Sequence, residues 1–150
     1  MKILRLKNEE QIRALLLKDN LFEYFRSDDM PALPFFKIPL MNDYFWMIGI
    51  DQKQIVGISI LHRVNEALMD GHIALYKEFI KKGLGEKFVL ELSNWLKEHT
   101  KVKSVVGYLP AHRVEMKKLA QKTFNYIGKL EKAQSWDYNL VDVEIYQRIL

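Results

Sequence analysis

His72-Ile73-Ala74-Leu75-Tyr76-Lys77-Glu78-Phe79-Ile80-Lys81-Lys82-Gly83-Leu84-Gly85-Glu86 decides how the rest of the sequence is read. An apolar run ends in a short basic loop with two glycines, and a helix opens from that loop. A helix start leaves backbone N–H groups without partners and concentrates positive potential at one point. Such a point seats phosphate groups, so the stretch suggests a nucleotide-like cofactor.

Working outward, the run before the loop is the third of three strands in series. Tyr44–Ile50 and Ile55–His62 are aromatic and β-branched, and Asp51–Gln54 between them predicts an antiparallel hairpin. Leu68–Leu75 follows as the third strand. Beyond the glycines, Phe88, Leu92, Trp95 and Leu96 recur at helical spacing, which predicts an amphipathic helix over Gly85–His99. Val102–Leu109 is a strand after that helix, so a right-handed crossover and a parallel pair with Leu68–Leu75 are expected. His112–Lys122 reads as a second amphipathic helix. Phe124–Leu130 and Tyr138–Tyr146 close the chain as strands joined by the connection Glu131–Trp136. The last strand alternates Val141, Val143 and Ile145 with Asp142 and Glu144, which predicts one wet face.

Toward the N-terminus, residues 2–6 form a short strand. Asn8 and Gln11 read as a capping pair before a helix with Ile12, Leu15 and Leu16 on one face. Asn20 interrupts it, and Leu21, Phe22 and Phe25 suggest a second short helix. Residues 27–43 hold Pro31, Pro34 and Pro39 and are irregular. That apolar segment either shapes a functional surface or covers a core edge.

The 150 residues suit one domain, 1–150, with a sizeable core. No cysteine is present, which excludes disulfides and thiolate chemistry. The four histidines lack helical metal-ligand spacing, so no metal site is expected. Met1–Arg5 lacks the apolar core of a secretion signal, and no run approaches the ~18 apolar residues of a membrane span. A cytoplasmic protein with no membrane partner is expected. The net charge of +4 suits an anionic ligand. Lys101, Lys103, Lys117, Lys118 and Lys122 carry no recognised nucleic-acid motif, so nucleic acid is not an expected partner.

The order of elements, with a basic Gly-x-Gly after the third central strand, resembles the GNAT superfamily of acetyl-CoA-dependent N-acetyltransferases over nearly the whole chain. The resemblance implies an α/β (α+β) fold. It would have a mixed, mostly antiparallel sheet of six or seven strands flanked by about four helices, in the order βααβββαβαββ. The family signature Gln/Arg-x-x-Gly-x-Gly/Ala falls on Ile80-Lys81-Lys82-Gly83-Leu84-Gly85, with Ile80 replacing the Gln or Arg. His112 stands where the family has an Asn, Thr123 where it has a Gly, and Leu119 where many members have a tyrosine acid.

The resemblance further implies acetyl-CoA as cofactor, held in a gap between splayed parallel strands. Backbone groups of Ile73 and Leu75 would pair with pantetheine. Residues from Ile80 through Lys81, Lys82, Gly83, Leu84, Gly85 and Glu86 would cradle the pyrophosphate, and His112 would cap its helix or touch the pantetheine arm. On the cofactor strand Asp70 and His72 share a face, and His72 has the better pKa for a base. Tyr108, on the far wall, is the candidate acid. Asp28, Asp29, Asp43, Phe35, Phe36 and Trp136 are candidates for acceptor recognition. The expected acceptor is an amine of a small molecule or protein. The lost landmarks suggest an alternative: a catalytically silent, phage-encoded virion or head-morphogenesis protein, working as a homodimer or with a virion partner.

Overall fold

A computed structural model describes all residues from Met1 to Leu150. One seven-stranded sheet runs through it. Its strands are β1 (Lys2–Leu6), β2 (Tyr44–Asp51), β3 (Gln54–Arg63), β4 (Leu68–Leu75), β5 (Ser104–Pro110), β6 (Asn125–Trp136) and β7 (Asn139–Ile149). Their spatial order is β1-β2-β3-β4-β5-β7-β6. Every neighbouring pair is antiparallel except β4 and β5. The helices are α1 (Glu9–Leu17), α2 (Leu84–His99) and α3 (Val114–Thr123). No helix is long and apolar enough to cross a membrane.

Local chemistry explains most boundaries. The Asn8 side chain accepts from the Gln11 N–H at 2.9 Å and starts α1. The second N-terminal helix expected from Leu21, Phe22 and Phe25 is a 3-10 stretch, Lys18–Tyr24. Asp19 and Asn20 sit there at φ 55° and 57°, which breaks the α-helical path. Gln52 and Lys53 both take positive φ and make the two-residue turn between β2 and β3. Gly57 is obligatory beside β4, because a Cβ there would lie 2.3 Å from the Ala74 carbonyl oxygen.

Phe88, Leu92 and Leu96 of α2 pack on one face of the sheet, where Phe45 meets Trp95 edge to face with ring centroids 6.5 Å apart. Ile12, Leu16, Leu21 and Phe22 are buried in the same core cluster. The irregular 27–43 segment acts largely as cover. Leu33 and Ile38 are buried, Phe36 packs on Phe22, and Arg13 donates to the Leu33 and Phe36 carbonyls.

Two expectations change at the C-terminal end. Glu131–Trp136 is no loop: β6 runs through it, with a register shift between Leu130 and Gln134 and Lys132 at φ 48°. A bulge of that kind looks like a turn in sequence. The alternation in β7 does not leave Glu144 wet. With α3 lying over it, Glu144 is 8% exposed, bonded to the Lys117 ammonium and accepting from the Tyr146 hydroxyl at 2.6 Å. Those two bonds hold its carboxyl below the usual range against the opposing effect of burial, while burial first and Glu144 second push the Tyr146 phenol up to about 12.

Candidate functional site

Strands β4 and β5 pair over only three rungs, Leu68 with Ser104, Met69 with Val105 and Asp70 with Val106. Beyond Asp70, β4 stays with β3 as far as Leu75, and β5 stays with β7 as far as Pro110. The two strands therefore diverge with their facing edges unpaired. Two cavities open along this wedge, one of about 400 Å³ and one of about 290 Å³, and Tyr24 and Met116 line both.

The larger cavity is built on the turn into α2. Ile73, Leu75, Ile80, Lys81, Gly83, Gly85 and Glu86 line it. Gly83 takes φ 73°, and a Cβ there would meet nothing within 4 Å, so the turn stays open toward the cavity. Gly85 lets the first turn of α2 settle onto its neighbours: a Cβ would stand 3.1 Å from Leu119 and 3.2 Å from Leu75 side-chain carbons. The first N–H groups of α2 have no carbonyl one turn back to bond. Sequence reasoning missed the opposite wall, where α3 contributes Glu115, Met116, Lys118, Leu119 and Lys122. Lys122 reaches Glu86 at 2.7 Å, and Lys118 lies 3.8 Å from Glu115. With Lys117 on Glu144, these lysines form no continuous basic stripe. The open glycine turn, the free N–H groups and the lysines fit a phosphate-bearing cofactor.

The side chains of three expected ligand residues point elsewhere, while the Leu84 N–H remains the first of α2. The Lys82 ammonium lies 5.7 Å from the Phe79 ring centre, and Leu84 packs against the hydrophobic core. His112 neither caps α3 nor lines the larger cavity. The helix begins two residues later, with Arg113 at its cap position and no capping side chain, which leaves His112 packed 5.5 Å from the Trp136 ring.

The smaller cavity brings His72 and Tyr108 together from opposite walls. They are the next same-face positions after the last rung, Asp70 and Val106, so the divergence creates the space between them. His72 holds its proton more weakly than an ordinary histidine because of burial, an effect that the nearby Asp70 charge opposes. Asp70 itself does not line either large cavity. Its carboxylate lies 3.3 Å from His62 Nδ1, its cross-strand neighbour. Tyr108 is 42% exposed.

Of the residues expected to recognise an acceptor, Trp136 lines the smaller cavity. Asp28 is committed to the β6–β7 turn, accepting from the Ser135 hydroxyl at 2.7 Å and the Tyr138 and Asp137 N–H groups at 2.8 and 3.1 Å. Asp43 lies 3.7 Å from His62, Phe35 points to solvent, and Asp29 is exposed. Tyr24 and Arg113, which no local pattern singled out, complete the smaller cavity.

No protein-family model matches this chain, and no curated protein matches it in sequence. Solved structures do match. A spermidine N-acetyltransferase from Vibrio cholerae in complex with CoA and spermine superposes with a TM-score of 0.78, at 13% identity, covering 99% of this chain and 94% of that one. A ribosomal-protein-alanine N-acetyltransferase from Brucella melitensis gives 0.73 at 15% identity, with both chains fully covered. An acetyltransferase of the GNAT family from Streptococcus pneumoniae gives 0.70 at 15% identity, covering 99% of each chain. With the strand order, the single splayed parallel pair and the glycine turn at its wide end, these likenesses show that the chain has a GNAT-like fold.

Proposed function

We propose that the protein transfers an acetyl group from acetyl-CoA to an amine. The observation that carries this reading is the meeting of two unlike cavities at Tyr24 and Met116. One has a glycine turn, a helix start and lysines; the other has an imidazole and a phenol on facing walls. The CoA held by the spermidine N-acetyltransferase of like fold supports the same cofactor here.

Acetyl-CoA would supply an activated acyl group as a thioester. The N–H groups at the start of α2, with Lys81, Lys118 and Lys122, would hold its phosphates. The unpaired edge of β4 at Ile73 and Leu75 offers backbone groups to the amides of pantetheine. His72, neutral at physiological pH, can accept a proton from the amine. Tyr108 carries a hydroxyl proton that it can give to the departing sulfur. Holding both reactants between Tyr24 and Met116 supplies the orientation on which such transfers depend.

Thermal unfolding with and without acetyl-CoA tests the reading. A cofactor at about a hundred times its Kd stabilises by about 2.7 kcal/mol, which moves Tm by several degrees. Thiol release with a panel of amines then reads transfer. No shift at millimolar acetyl-CoA overturns the proposal.

A further inference from the structure

We infer that the acceptor bears a carboxylate near its amine, and that Arg113 receives it. This rests on the acetyl-transfer reading and names the substrate class of the smaller cavity.

Arg113 lines that cavity with its guanidinium carbon 4.2 Å from the Trp136 ring centre and 5.6 Å from that of Tyr24. Both aromatic rings lie beside the guanidinium and neither accepts a conventional hydrogen bond from it. A guanidinium has five N–H donors. One bond is made, from Nη2 to the Glu23 carbonyl oxygen at 3.3 Å, while Nε is buried with no partner at all. Burial also lowers the guanidinium's hold on its proton, against the opposing effects of Tyr24 and Asp137.

No carboxylate lines the cavity. Glu23 turns its acid group to Arg26 at 3.3 Å, and Glu144 is committed to Lys117 and Tyr146. Asp137 acts on Arg113 only from beyond ion-pair distance. A polyamine entering here would meet a cation and no acid in the lining. A carboxylate would instead take charge-assisted, two-pronged hydrogen bonds from Nη1 and Nη2. Tyr24, Phe25 and Trp136 supply an apolar wall for the rest of the molecule, and His72 and Tyr108 stand across from it. An amino acid or a similar amine with an anionic end has this chemistry.

The test compares a pool of the common amino acids with a pool of their decarboxylated amines and with spermidine, at fixed acetyl-CoA. Thiol release and mass spectrometry of the N-acetyl products give kcat/KM. At least one amino acid is expected to exceed its decarboxylated partner by about tenfold or more, as losing a charged bidentate contact implies. Arg113→Met should bring that ratio near unity, and Arg113→Lys should keep part of it. Because only the ratio is read, a general loss of stability in either variant does not mimic the result. The inference is overturned if decarboxylated amines or spermidine are preferred, if no amino acid accepts, or if Arg113→Met leaves the ratio intact. In each of those cases an acetyl-CoA thermal shift in the parent protein keeps the transfer reading standing. Absence of that shift sinks the transfer reading instead, and titrating the protein with N-acetylphenylalanine and N-acetylphenylethylamine then reads Arg113 directly. Equal binding of the two would remove the carboxylate subsite.

Discussion

Lys122 Nζ lies 2.7 Å from Glu86 Oε1, so the last turn of α3 is tied to the first turn of α2 across the larger cavity. An acidic side chain thus occupies a lysine in a place otherwise suited to anions. Glu86→Gln releases Lys122 and removes a negative charge. Acetyl-CoA should bind about two- to fivefold more tightly at low salt, in keeping with the small value of an exposed pair. The gain should fade at molar salt. Isothermal titration at two ionic strengths measures both, and weaker binding in the variant would place the phosphates elsewhere.

Gly83 separates conformational strain from blocking. Gly83→Ala puts a Cβ on a residue at φ 73° where there is space, so the cost is conformational and about 1 kcal/mol. Gly83→Asp adds a carboxylate at the mouth of the cavity. Denaturant melts should show similar losses for both, whereas acetyl-CoA binding should collapse only in the aspartate variant. Retained binding in Gly83→Asp would remove this turn from the cofactor site.

His72 holds its proton less firmly than the ordinary value of 6.5. Below that pH the unfolded chain takes up a proton that the folded chain resists. Stability from this group is therefore full above 6.5 and declines as pH falls beneath it. For the same reason the acidic limb of kcat/KM should lie below 6.5. His72→Gln should abolish that limb and flatten the stability profile in the same window. An unchanged limb in the variant assigns the base to another group.

Asp28 ties the N-terminal half to the β6–β7 turn. Its bonds to the Ser135 hydroxyl and then to the Tyr138 N–H hold the carboxyl below the usual range. Its contribution is present above about pH 3.8 and is lost as pH falls through the lower folded value. Asp28→Ala should lower Tm at neutral pH, shift Trp136 fluorescence and weaken acceptor use more than cofactor binding. Equal losses in both would mean that the turn does not shape the acceptor side.

The order of elements along the chain, the central meander and the glycine turn are legible in the sequence because they rest on local signals: alternation, helical spacing and the Gly83-Leu84-Gly85 triplet; the insertion of β7 between β5 and β6 is not. Nor are the walls. Lys118, Lys122, Tyr24 and Arg113 reach the cavities from elements distant in sequence, and nothing nearby distinguishes them from surface side chains. Glu144 looked wet because alternation reports the strand and not the helix laid over it. Asp28 looked free because its partners stand more than a hundred residues away. Helical spacing extends α3 back to His112, but the helix begins at Val114 with Arg113 at its cap position, and His112 packs on Trp136 instead.

The Asp28 clasp makes the smaller cavity a property of the whole chain, while the glycine turn depends mainly on its middle. Tyr24 and Phe25 come from one end of the polypeptide, and Gln134, Trp136 and Val143 from the other. Altering the hairpin tip can therefore reshape the smaller cavity without disturbing the glycine turn. Variation in specificity should concentrate at that tip.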